Sequence, residues 1–106
     1  MSDDDKFQEL QLIEQNLQNL ILQKQAFQLE LNETQTALKE LQNSKEEVFK
    51  IIGNLMIKTE KSKLKEELQN KQKILDLRLK NLEKQEKALT ERAEKLRQEL
   101  SNSLKK

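Results

Sequence analysis

The sequence predicts an all-α-dominated fold, a long antiparallel intramolecular coiled coil whose two helices are joined by one β-hairpin. Three observations carry this. The 106 residues contain no proline and one glycine, so almost nothing interrupts helix. Charged residues reach 37% while the hydrophobic set is 34%, which suits a narrow apolar seam rather than a wide globular core. The lone glycine sits in Gly53-Asn54, between two short runs rich in β-branched and aromatic residues.

Helix one is expected at about 5–43. Alternating steps of three and four residues trace Leu10, Ile13, Leu17, Leu20, Lys24, Phe27, Leu31, Thr34, Leu38 and Leu41, of which eight are apolar. Ser2 or an early Asp caps the start, and Asp3-Asp4-Asp5 suits the positive end of the helix dipole. The hairpin is expected at about 47–59. With Gly53-Asn54 as its turn, Ile52 faces Leu55 and Lys50 faces Ile57. Val48, Ile52, Leu55 and Ile57 then share one face, and Phe49, Ile51 and Met56 share the other. Helix two is expected at about 61–102, begun by Thr59 or Glu60 with Ser62 as a rival cap. Its seam runs Leu68, Gln72, Leu75, Leu79, Leu82, Glu86, Leu89, Ala93, Leu96 and Leu100, again with eight apolar positions. The tail from Ser101 to Lys106 is expected to fray. The three elements are read as one domain, 1–106.

A short connector favours antiparallel neighbours. Folding back about the hairpin pairs Leu41 with Leu68 and Leu10 with Leu100, so each helix spans roughly 55–65 Å at the standard rise. The hairpin is then expected at one end of a rod and both termini at the other. This register sets Lys24 opposite Glu86, the most polar layer of each seam, where a charged pair would specify alignment at some cost in stability.

The composition excludes several kinds of chemistry. Without histidine or cysteine there is no Ser-His-Asp triad, Cys-His dyad, zinc centre or disulfide. With one glycine there is no phosphate-cradling loop. Carboxylates such as Glu46-Glu47 and Glu66-Glu67 lie among lysines and read as solvated helix faces. No catalytic residue, metal or cofactor is expected, and the protein is read as not an enzyme. Twenty basic and nineteen acidic side chains are interspersed, and Trp and Tyr are absent, so nucleic acid is not an expected partner. No run of residues is long and apolar enough to span a membrane, and the acidic start does not resemble a signal peptide. A soluble cytoplasmic protein is the expectation.

A hairpin with two apolar faces and two open edges is marginal alone. Several copies pairing their hairpins into a larger sheet or barrel would cover it; the alternative is a hairpin folded onto its own helices in a monomer. At the helix ends, Phe7, Leu10, Leu12, Ile13, Leu96, Leu100 and Leu104 cluster near the termini. If the helices splay there, these residues offer an adaptable apolar surface for non-native chains. Ile13, Leu10 and Leu100 also fit as the last layers of the seam, which leaves Phe7, Leu12 and Leu104 as the freer contacts.

The run Val48-Phe49-Lys50-Ile51-Ile52-Gly53-Asn54-Leu55-Met56-Ile57-Lys58, set between two heptad arms of equal length, resembles the hairpin of the beta-class subunits of prefoldin, the archaeal and eukaryotic co-chaperone. The likeness covers nearly the whole chain, and a single hairpin points to the beta rather than the alpha class. The resemblance implies a hexamer of two alpha and four beta subunits that captures unfolded client proteins without ATP and passes them to a group II chaperonin. On this resemblance Val48, Phe49, Ile51, Ile52, Gly53, Leu55, Met56 and Ile57 are assembly residues. Phe7, Leu10, Leu12, Ile13, Leu100 and Leu104 are client-contact residues. Two other functions fit a bare coiled coil: a structural adaptor spacing folded partners, and an RNA-binding helical arm, which would need a basic stripe that the glutamates spoil.

Overall fold

The computed structural model describes residues 1–105, and Lys106 lies outside the described residues. The element order is α1 (Asp3–Asn43), β1 (Val48–Ile52), β2 (Leu55–Thr59) and α2 (Lys61–Leu104). The helices form the expected antiparallel coiled coil, joined by the hairpin. Every one of the twenty seam positions is buried or half-buried, while most residues between them are exposed. The 3–4 spacing of apolar groups thus decides which side of each helix leaves water.

The helix ends follow local rules. Ser2 caps α1: its Oγ accepts a hydrogen bond from the Asp5 N–H at 3.1 Å, and the Ser2 N–H donates back to Asp5 Oδ2 at 3.4 Å. This reciprocal pair satisfies two donors at a helix start. Glu60, not Ser62 or Thr59, is the residue from which α2 springs, its carbonyl accepting from the Leu64 N–H at 3.0 Å. At the other end α2 does not fray at Ser101. It remains helical through Leu104, and the Ser103 hydroxyl donates to Asp3 Oδ2 at 2.6 Å. A side-chain bond to the neighbouring helix holds a turn that isolated propensity would release.

The chain packs as two compact units, one formed by Met1–Ala26 with the chain from Leu79 onward, the other by Phe27–Arg78. In the first unit Ile13, Ala93 and Leu96 form a buried cluster lined by Leu10, Leu17 and Leu89. Leu96 is the most deeply enclosed side chain, with no exposed surface. Ion pairs Lys6–Glu99 and Glu14–Arg97 flank this seam at 3.5 and 3.3 Å, and Lys24–Glu86 lies within it at 3.1 Å. The best-formed is a fork in which Arg92 Nε and Nη2 donate to the two carboxylate oxygens of Glu9 at 2.8 and 3.0 Å. That two-point geometry fixes orientation as well as charge.

In the second unit Leu31, Leu41 and Leu75 are buried, and Lys71 pairs with Glu30. The Arg78 guanidinium lies 5.5 Å from the centre of the Phe27 ring, a cation–π contact. Thr34 is buried in this seam, and its hydroxyl donates to the Glu30 carbonyl at 2.8 Å, so the polar layer leaves no orphan group.

Leu96→Ala removes a fully enclosed side chain and is expected to cost about 2–5 kcal/mol in chemical unfolding followed by circular dichroism. A loss under half of that range would place the core elsewhere. The Arg92 hydrogen bond holds the Glu9 carboxyl below its ordinary value of 4.5, and burial opposes the shift only in part. A lowered folded-state value stabilises at pH above the unfolded value and is lost as pH falls through the folded one. Parent and Glu9→Gln should therefore differ in melting temperature at neutral pH and converge as the pH drops below 4.5. A gap that persists unchanged into acid would mean that the fork adds nothing through its charge.

Candidate functional site

Two surfaces stand out, one within each unit. The first is the hairpin. Its antiparallel register pairs Val48 with Thr59, Phe49 with Lys58, Lys50 with Ile57, Ile51 with Met56 and Ile52 with Leu55. Gly53 has φ +59°, the sole positive φ among the described residues. Glycine at the first central position of a two-residue turn, with Asn54 at negative φ, matches a II′-type hairpin whose twist suits the strands. No heavy atom stands within 4 Å of a Cβ built there, so the demand for glycine is conformational rather than steric.

The strands anchor to the helices only at their base. Val48, Lys50 and Thr59 are half-buried. Val48 and Phe49 line a shallow depression with Ala37, Leu41, Leu64 and Leu68. Lys50 Nζ donates to Glu67 Oε2 at 2.7 Å, Lys58 Nζ to Glu47 Oε1 at 2.9 Å and Lys61 Nζ to the Ser44 carbonyl at 2.7 Å. Beyond that base Phe49, Ile51, Ile52, Leu55, Met56 and Ile57 all face solvent, with Ile51 71% exposed. Strand alternation sends Ile52, Leu55 and Ile57 to one face and Ile51 and Met56 to the other. The hairpin does not fold down onto its own helices. Both strands are edges, since the sheet has two strands among the described residues.

The second surface is at the helix ends in the first unit. Phe7, Leu10, Arg97, Leu100, Ser101 and Leu104 line an open groove. Phe7, Leu12 and Leu104 are exposed, Leu104 at 79%, and Leu10 is half-buried. Ile13 and Leu100 are each 5% exposed and belong to the core. They are packed as seam layers, the second of the two places the sequence allowed them, because the heptad continues to the last turn of α2. In the same unit Lys24 Nζ meets Glu86 Oε2 at 3.1 Å, both side chains about a third exposed.

Neither surface holds an arrangement of catalytic type, and among the described residues no cluster of acidic side chains is placed to hold a metal. No helix among them is long and apolar enough to cross a membrane. What both offer is apolar area without a partner, which is a property of interaction surfaces. Sequence reasoning missed the Glu9–Arg92 fork and the exposed Leu22, because neither lies on the seam.

Comparison with known proteins fits this geometry. Residues 4–106 match the family model described as prefoldin subunit. The prefoldin subunit beta of Thermococcus onnurineus is 41% identical over 99 residues, covering 92% of this chain and 85% of that protein. The corresponding subunit of Thermococcus gammatolerans is 43% identical with the same coverage, and that of Pyrococcus furiosus 35%. Among solved structures, the prefoldin beta subunit from Thermococcus strain KS-1 superposes with a TM-score of 0.90 at 36% identity, covering 98% of this chain and 93% of that one. Two heptad arms, one II′-type apolar hairpin and these likenesses over almost the full length agree: the chain belongs to the prefoldin subunit family, among its beta subunits.

Proposed function

We propose that this chain is the beta subunit of a hexameric, ATP-independent holdase, built from two alpha and four beta subunits, that captures unfolded proteins in the cytoplasm and passes them to a group II chaperonin. The observation that carries the reading is the hairpin. Six large apolar side chains stand in water on two faces of a two-stranded sheet with both edges open. Such a sheet is marginal by itself and is made stable by further strands. Sister hairpins supply both the missing hydrogen bonds and the apolar cover, so Val48, Phe49, Ile51, Ile52, Leu55, Met56 and Ile57 act in assembly around the turn at Gly53. Charge does not oppose that step, because Lys50 and Lys58 are already paired within the subunit.

In this reading the chain works as one unit along its whole length and carries out no bond chemistry. Phe7, Leu12 and Leu104, with the edge of Leu10, contact the client; Ile13 and Leu100 join them only if the helix ends part. Lys24 and Glu86 hold the register, since a shift of one heptad would set Lys24 opposite Leu79 or Ala93 and Glu86 opposite Leu17 or Leu31, leaving both charges against apolar residues.

Ile52→Asp tests assembly. Ile52 is exposed in the isolated chain, so the substitution should alter its stability by no more than about 0.5 kcal/mol. In a completed barrel the same carboxylate would be buried without a partner, and the complex should be lost. Light scattering of the chain mixed with an alpha-class subunit reads this directly, with circular dichroism reporting unchanged helicity. A variant that assembles normally would remove the hairpin from the interface. The parent complex should also suppress aggregation of a denatured protein while ignoring its native form. Binding of the native form instead would favour an adaptor.

A further inference from the structure

Sulfur is the atom that peroxides oxidise first in a protein, as thiolate or as thioether. This chain has no cysteine, and no histidine, tryptophan or tyrosine either. Its sulfur is confined to two thioethers, Met1 and Met56. Both residues are 68% exposed, so neither is shielded in the isolated chain. Their settings differ. Met1 precedes α1, in the first unit. Met56 stands in β2 opposite Ile51, which is itself 71% exposed. In a two-residue hairpin the pair flanking the turn, here Ile52 and Leu55, exchanges both backbone hydrogen bonds. At the next pair, Ile51 and Met56, the backbone N–H and C=O groups therefore point to the open edges, where a further strand would bond. Phe49 and Lys58 complete this face, and Lys58 Nζ is engaged by Glu47 at 2.9 Å. The one donor side chain on the Met56 face is thus already taken.

We propose that Met56 is an oxidation-sensitive gate on assembly: a peroxide converts its thioether to the sulfoxide in the unassembled subunit, which then joins the complex poorly, whereas the assembled subunit is protected. The inference rests on the assembly role of the hairpin given above and deepens it. In the oxidation a sulfur lone pair attacks one oxygen of the peroxide. A sulfur–oxygen bond forms and the oxygen–oxygen bond breaks. The proton on the transferred oxygen leaves with the departing hydroxide as water. Sulfur loses two electrons and the peroxide gains them. The product replaces a pliant apolar side chain by a polar, chiral one. While Met56 is in water the change has little effect on the fold. Once sister strands cover the face, the sulfoxide oxygen becomes a buried acceptor without a donor. Because no other internal residue carries sulfur, the oxidant response of the chain is concentrated in its sheet.

The test treats the isolated full chain, and separately its complex with an alpha-class subunit, with dilute hydrogen peroxide. Peptide mass spectrometry follows oxygen uptake at each methionine. In the isolated chain Met1 and Met56 should oxidise at comparable rates. In the complex Met56 should oxidise at least about tenfold more slowly, with Met1 unchanged as the internal reference. Light scattering of the oxidised chain mixed with the alpha-class subunit should show assembly weakened about tenfold, at unchanged helicity by circular dichroism. Methionine sulfoxide reductases acting on both epimers should restore it. Met56→Leu, compared with its own untreated sample, should lose nothing on treatment. Normal assembly of the chain carrying Met56 sulfoxide overturns the proposal. If Ile52→Asp still blocks assembly in that case, the role of the hairpin stands; if Ile52→Asp also assembles, both readings fall. An equal loss in peroxide-treated Met56→Leu overturns the proposal, as does equal oxidation of Met56 in the free and assembled states. If untreated Met56→Leu does not assemble, reversal by the reductases decides alone.

Discussion

The structure depends on one constraint: a chain this charged has apolar residues enough for a single seam, and the seam consumes the helix positions spaced by three and four. Everything that lies on it is covered by the partner helix. Most large apolar residues that lie off it stay in water; Val48 and Leu64, at the base of the hairpin, are half-buried. The hairpin is the extreme case, because a strand turns alternate residues to opposite sides and a helix pair can shelter only the side it touches. At its base that side carries Val48, Lys50 and Thr59, and these are the half-buried residues of the two strands. The same geometry that completes the coiled coil thus leaves a sheet incomplete, and incompleteness is the property from which an assembling subunit follows.

Polar layers interrupt the seam without loosening it, for two different reasons. In the second unit Thr34 satisfies itself by bonding back to the Glu30 carbonyl, so its burial imposes no demand on the facing helix. In the first unit Lys24 and Glu86 pair with one another across the seam at 3.1 Å, so that layer is satisfied between the helices rather than within one. The Glu9–Arg92 fork has the same character but sits at the edge of the seam, where a planar guanidinium can lie along the carboxylate. Measured on exposed surfaces, such pairs contribute little individually. Each of these pairs joins α1 to α2 at one level of the seam.

Much of this was legible from the residues. The heptad steps identified both seams because burial follows helical period, and Gly53-Asn54 located the turn because few other pairs accept its backbone angles. The strand register followed from the turn without further information. Less was legible at the helix ends. Seam and surface blend there, so the residues alone left Ile13 and Leu100 readable both as last seam layers and as contacts, and the packing continues through them. Ser101 to Leu104 remain helical alongside a Ser103–Asp3 bond that no local pattern announces. Nor could composition select Arg92 and Glu9 as partners among twenty basic and nineteen acidic side chains, since many pairings satisfy a charge count and geometry alone decides.

The antiparallel path has a consequence for the order in which the molecule closes. Lys61 reaches the Ser44 carbonyl, and Lys50 reaches Glu67, across sequence separations of 17 residues. The Lys24–Glu86 contact spans 62, the Arg92–Glu9 contact 83 and the Ser103–Asp3 contact 100. Once the turn has formed, each layer shortens the loop that the next must close, so the pair zips progressively and no layer bears the full entropy of its separation. By the same arithmetic Ser103 and Asp3, 100 residues apart, are the pair whose loop is shortened most by the layers closed before it.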